Sequence, residues 1–139
     1  MRTGVQRAEV SKAALWVGAV VSAIPALTLL FAGSMKLMQL PSVIQGFAQY
    51  GYPAKQIPII GTIEVCCAVL YLIPPTAVLG AILMTGVWGG AIASNVRVGD
   101  AAFVGPLILG VLVWAGLYLR DPRLRALIPL RARFSRQSQ

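Results

Sequence analysis

The chain has 139 residues, of which 58% are hydrophobic and only 12% are charged. Soluble domains usually carry roughly 25% charged residues, so the composition excludes an ordinary soluble domain, and the length leaves room for a single domain. The net charge is +8. We assign it to membrane topology and to anionic lipid headgroups rather than to nucleic acid, because the basic residues flank apolar segments.

Four stretches are apolar and long enough to cross a bilayer as helices, which takes about 20 residues. They cover residues 13–36, 57–73, 76–96 and 101–119. The first follows basic residues as a signal peptide does, but its apolar run exceeds the roughly 7–15 residues of such a segment. We therefore predict that this first segment is a transmembrane helix that stays in the protein. The expected fold is all-α: a polytopic membrane protein with a four-helix transmembrane bundle.

The connection between the first two spans is the one sizeable loop of the sequence. Pro41 suits the first turn of a helix, and we predict a short interfacial helix from Ser42 to Tyr50. Phe47 and Tyr52 are aromatic residues of the kind found at headgroup level. The helix is either a connector that rests on the membrane or a lid over a pocket below it.

Two spans carry rows of small residues at intervals of four. Such rows let helix backbones approach closely in lipid. We predict that they pack inside the bundle, with contact to a partner subunit as the alternative. The residues are Gly18 and Ser22 in the first span and Gly86, Gly90 and Ser94 in the third.

Glu64 is the one carboxylate inside a predicted span. It lies about seven residues into the second span, or roughly 10 Å at 1.5 Å per residue. A charge inside the bilayer costs at least about 2.5 kcal/mol and normally faces a partner in the bundle interior. Neighbouring spans bring Lys36, Asn95 and Arg97 to the same depth, and we expect Lys36 or Arg97 to pair with Glu64. This polar layer is a candidate site for a ligand, an ion or a proton. The alternatives are an ion pair that only fixes helix register and a protonated, neutral Glu64.

We expect the polar layer to adjoin a pocket lined by small and aromatic residues, namely Gly33, Gly61, Cys67, Tyr71 and Trp88. Cys67 is adjacent to Cys66 on one helix, where the two thiols are badly placed to bridge, so we assign both to packing, with redox work as the alternative. The sequence has no histidine and no CxxC motif. We therefore expect no metal or haem held by the chain's own ligands, and we assign no catalytic residue.

Basic residues are unequally distributed between the two sides of the predicted bundle. Three precede the first span and six follow the last, whereas Lys36, Lys55 and Arg97 are on the other side. Cytoplasmic segments carry the excess of lysine and arginine. We therefore predict a cytoplasmic (inner) membrane protein with a basic cytoplasmic arm (1–12), a transmembrane domain (13–119) and a basic cytoplasmic tail (120–139).

Three segments carry a resemblance to a known family. "LLFAGSMKL" (29–37), "IGTIEVCCAVLYLIPP" (60–75) and "LGAILMTGVWGGAIASNVRVGD" (79–100) resemble, in this order and spacing, the first three helices of DoxX-like membrane proteins. The resemblance covers about residues 25–120. Lys36 and Glu64 match the family pattern, whereas Asn95 stands where members commonly have histidine. Asparagine does not titrate near neutral pH, so a proton relay does not carry over to this position.

The resemblance implies a four-helix bundle associated with redox chemistry, since some relatives are subunits of thiosulfate:quinone oxidoreductases and others act with oxidative-stress systems. The leading expectation is an accessory subunit of a quinone-linked membrane redox system, whose pocket takes a quinone, a lipid or a small anion. Its partners would be lipid and either other membrane subunits or further copies of the chain. The alternatives are a structural helper in a larger complex and a small-solute carrier. The carrier ranks last because four helices without a repeat suit alternating access poorly.

Overall fold

The computed structural model describes residues 10–127, which form six α-helices and three short 3₁₀ helices. Four of the α-helices, three of them extended by the 3₁₀ helix that precedes them, are long and apolar enough to cross a membrane, and the short helix predicted between the first two is present. The predicted all-α four-helix bundle is therefore confirmed. The helices are α1 (Lys12–Leu37), α2 (Pro41–Gln49), α3 (Ile57–Leu72), α4 (Ala77–Arg97), α5 (Val104–Arg120) and α6 (Pro122–Leu127). The arginines predicted for the arm and the far tail, at 2, 7, 131, 133 and 136, lie outside the described residues.

Local sequence explains where these helices begin and end. Ser11 caps α1 because its hydroxyl accepts a hydrogen bond from the Ala14 amide at 3.2 Å, as preferred N-cap residues do. Pro41 occupies the first position of α2, where its missing N–H costs nothing. Gly51 and Gly99 have φ angles of 79° and 72°. Glycine adopts this left-handed conformation without a steric penalty, so these residues allow the turns after α2 and α4.

The four long helices form a ring. α1 packs against α3 and α5, and α4 packs against the same two helices. Successive long helices run antiparallel, so the start of α1 and the end of α5 meet at one end of the bundle. A Cβ atom placed on Gly18 would lie 2.9 Å from that of Leu119. The short helix α2 lies at the opposite end.

Small residues have different roles in the two predicted rows. Gly18 and Ser22 are buried where α1 contacts α5, and Gly116 of α5 faces Ser22 directly. In contrast, Cβ atoms placed on Gly86 and Gly90 would meet no atom within 4 Å. The expectation that these two glycines pack inside the bundle is therefore wrong for residues 10–127, because this face of α4 borders a cavity. Contact with a partner subunit stays a prediction.

Candidate functional site

The centre of the site is a buried ion pair between α1 and α3. The Nζ atom of Lys36 lies 2.7 Å from Oε2 of Glu64. The two residues are 8% and 7% exposed, so both charges are removed from solvent. Lys36 Nζ also lies 5.4 Å from the centre of the Phe47 ring of α2, within the range of a cation–π contact.

Two glycines allow this pair to form. Where α1 crosses α3, a Cβ atom on Gly61 would lie 2.8 Å from the Gly33 carbonyl oxygen and 2.9 Å from Lys36 Cβ. Larger residues would separate the helices. Because the crossing is this close, the end of α1 brings Lys36 to the level of Glu64, and of the two candidate cations it is Lys36 that contacts the carboxylate.

A cavity of about 400 Å³ adjoins the ion pair, between α2, α3 and α4. Its wall is mainly apolar, and Glu64 is the charged residue among those that line it, whereas Lys36 is not part of the lining. A molecule in the cavity would therefore contact the carboxylate of the ion pair and not its ammonium group. Its lining residues are Phe47, Tyr50, Tyr52, Ile60, Ile63, Glu64, Gly86, Val87, Gly90, Ala91, Ser94 and Asn95.

Tyr50 ties α2 to the end of α4. Its hydroxyl lies 3.0 Å from both Asn95 Oδ1 and Asp100 Oδ2, and its backbone carbonyl accepts a hydrogen bond from the Arg97 guanidinium. The hydrogen bond to Asp100 raises the pKa of Tyr50 above its ordinary value of 10.0, because it stabilises the neutral phenol next to a carboxylate.

Tyr52 makes the second connection across the cavity mouth. Its hydroxyl lies 2.8 Å from Ser94 Oγ of α4. Its ring meets that of Phe47 edge-to-face, with 5.6 Å between centres and 61° between planes. Of the two roles predicted for the short helix, its position over the cavity corresponds to the lid.

The predicted polar layer consists of two separate clusters. Lys36 and Glu64 form the ion pair, whereas Asn95 lies farther along the cavity and bonds Tyr50. Arg97 is exposed at the end of α4 and does not reach Glu64. The reason is geometric: α1 approaches α3 closely at the two glycines, while the cavity separates α3 from this end of α4.

The residues predicted to line the pocket lie elsewhere. Gly33 and Gly61 form the α1–α3 crossing. Cys67 and Tyr71 are buried in the bundle core, 4% and 0% exposed, because their side of α3 turns toward the other helices. Trp88 lines a separate groove between α4 and α5. These placements correct the expectation that all five border one pocket.

Sequence reasoning missed two features of the site. The isoleucines at 60 and 63 form the apolar wall on α3. Ile60 lies four residues before Glu64 and therefore on the same face of the helix, but nothing distinguishes Ile63 from residues that face lipid. Asp100 holds the Tyr50 hydroxyl, although the sequence indicates only a turn residue there. The available signal was a carboxylate only three residues after Arg97, since the chain has just four acidic residues.

A family model matches most of the chain. The model described as the DoxX-like family matches residues 20–116, a range that contains the Lys36–Glu64 pair, most of α1 and α5, and the whole cavity wall. No curated protein and no solved structure matches the chain. Because the matched range covers well over half of its length, the chain belongs to the DoxX-like family.

Proposed function

We propose that this protein is an accessory subunit of a membrane redox system and that it binds a quinone-class molecule in the cavity between α2, α3 and α4. The observation that carries the proposal is the cavity itself: about 400 Å³, where small-molecule sites usually span roughly 300–1,000 Å³ and combine apolar walls with few polar groups. The link to redox chemistry is supported by the family resemblance.

The lining suits a ring that has polar oxygens and an apolar tail. Ile60, Ile63 and Val87 offer apolar surface, whereas Glu64 and Asn95 offer polar atoms. Ile63 is 49% exposed on a lipid-facing surface, so a lipophile would enter from the bilayer without crossing water. The protein's own residues would bind and orient the ring, and electron transfer would belong to a partner subunit.

Charge distribution supports a location in the cytoplasmic membrane with both termini in the cytoplasm. Lys12 begins α1 and Arg120 ends α5 at the same end of the bundle, and Arg123 and Arg125 follow. Segments next to spans that are rich in lysine and arginine normally stay in the cytoplasm. Reporter fusions at each end test the orientation, and activity of a periplasm-specific reporter at either end would contradict it.

A binding experiment tests the proposed site. The full chain in nanodiscs is titrated with a short-chain benzoquinone, and binding is followed by quenching of tryptophan and tyrosine fluorescence. Ala91 lines the cavity, whereas Ala93 is exposed on the same helix. Ala91→Phe should abolish saturable binding, and Ala93→Phe should leave it unchanged. Equal binding by the two variants, or no saturable binding of either this quinone or its hydroquinone by the wild type, would overturn the proposal.

A structural helper subunit is the second candidate, and the open row on α4 favours it. Gly86 and Gly90 have no neighbour within 4 Å of a Cβ position, so a partner helix could approach this face closely and would then fill the cavity in place of a lipophile. Purification in mild detergent with mass spectrometry discriminates the two candidates. The helper is favoured if the wild type is recovered in stoichiometric amounts with a large assembly, and if Gly90→Leu abolishes this recovery while Gly105→Leu keeps it.

A further inference from the structure

The polar atoms of the cavity wall differ in whether they still have a hydrogen to donate. The Ser94 hydroxyl donates to the backbone carbonyl four residues earlier, at 2.9 Å, so Tyr52 is the donor in its bond with Ser94. The single hydroxyl hydrogen of Tyr50 is directed at Asn95 Oδ1 and Asp100 Oδ2. All three hydroxyl hydrogens are therefore engaged by the protein itself.

Glu64 is the charged residue of the cavity lining, and its carboxylate is a hydrogen-bond acceptor. Lys36 donates to its Oε2 atom, while Oε1 accepts no hydrogen bond from the described residues 10–127. An ionised carboxylate has about four lone-pair positions and no hydrogen. Few hydrogen-bond donors of the cavity wall are available to a ligand. The Asn95 amide donates one N–H to the Ala91 carbonyl at 2.8 Å, which leaves its second N–H for a ligand.

We propose that the cavity selects a lipophile that donates hydrogen bonds, and hence binds the reduced, dihydroxy form of a quinone-class ring in preference to the oxidised, dicarbonyl form. This inference rests on the proposed function, because it concerns the same site. It concerns binding alone; no bond of the ring forms or breaks.

Hydrogen-bond energetics explain the preference. A ring hydroxyl that donates to a carboxylate oxygen makes a charge-assisted bond, about twice as strong as a neutral one. A ring carbonyl in the same place would put two acceptors together with no hydrogen between them, and both would lose their hydration without compensation. A tenfold preference for the reduced ring would raise the two-electron reduction potential of the bound couple by about 30 mV.

Three probes of equal size test the preference on the full chain in nanodiscs. They are a short-chain benzoquinone, its hydroquinone held reduced under anaerobic conditions, and the dimethyl ether of the hydroquinone, which has no donor and does not titrate or oxidise. The hydroquinone should bind at least about tenfold more tightly than the other two, as expected for a site that pairs with a ligand hydroxyl.

The outcomes separate this inference from the proposed function. If the quinone or the dimethyl ether binds as tightly as the hydroquinone, the selection is refuted and the quinone-class site remains. If none of the three shows saturable binding that Ala91→Phe removes, both proposals are refuted.

Changing the acceptor provides the second test. Glu64→Gln puts an amide N–H in place of a carboxylate oxygen, so the preference for the hydroquinone should fall by about tenfold or reverse. Asp121→Asn is the matched control, since Asp121 follows α5 at the opposite end of the bundle and is outside the cavity lining, and should keep the preference. If Glu64→Gln does not fold with Lys36 unpaired, Lys36→Met/Glu64→Gln gives the same comparison without a stranded charge. A preference that survives in the variant that folds would overturn the inference.

Discussion

Replacing Lys36 with methionine isolates the energetic role of the buried ion pair. Methionine keeps an unbranched stem of similar length, so packing between α1 and α3 changes little while the cation is lost. The side chains of Lys36 and Glu64 are only 11% and 9% exposed, and water cannot replace the missing partner. Removing one member of a buried pair usually destabilises a protein by about 3–5 kcal/mol, because an uncompensated charge remains.

The assay is the equilibrium between folded and unfolded protein in lipid–detergent micelles with increasing denaturing detergent. A loss of about 3 kcal/mol lowers the folding constant by roughly a hundredfold. Lys36→Met/Glu64→Leu removes both charges and should recover most of that loss, since buried pairs are often replaceable by apolar residues. Lys55→Met, at an exposed lysine, should change stability by less than about 0.5 kcal/mol. If Lys36→Met is as mild as Lys55→Met, the pair does not hold α1 to α3 and the reasoning fails.

Two further predictions concern the helix crossing and the lid. Gly61→Ala should destabilise the bundle, because its Cβ would lie 2.8 Å from the Gly33 carbonyl oxygen. Gly89→Ala should leave the stability unchanged, because its Cβ would meet no atom within 4 Å. Equal thermal stability of the two variants would argue against a tight crossing. Tyr50→Phe should accelerate amide hydrogen exchange in α2, and unchanged exchange would show that the hydroxyl does not tie the lid down. Because the bond to Asp100 raises the pKa of Tyr50 above 10.0, the neutral phenol is favoured in the folded protein, so its stabilising contribution is complete below pH 10 and is lost as the pH rises through the raised value. Tyr50→Phe should remove a late transition from the absorbance titration of tyrosinate.

The sequence predicts the bundle well because lipid imposes simple rules. Length and hydropathy locate each span to within a few residues, and the carboxylate of Glu64 requires a partner at its own depth. Depth alone left Lys36 and Arg97 equivalent. The difference between them arises from the crossing at Gly33 and Gly61, which is a property of two helices together and is not visible in either segment alone.

The cavity was harder to predict. A row such as Gly86 and Gly90 is expected both where helices touch and where a wall must leave space, so its spacing does not distinguish the two. The hydrogen bonds of Tyr50 to Asn95 and Asp100 join residues far apart in the chain. They depend on how α2 folds back over α4, which no local pattern specifies.

The central claim is that a lipophile occupies the cavity beside Glu64. Photolabelling of the site tests this claim most directly. A short-chain quinone with a photoreactive tail is irradiated with the full chain in nanodiscs, and labelled residues are mapped by mass spectrometry. Labels should concentrate on cavity residues such as Ile63 and Ala91 and disappear with excess hydroquinone. Labels spread over lipid-facing residues such as Trp16 and Val111, 74% and 62% exposed, without competition would contradict the existence of the site.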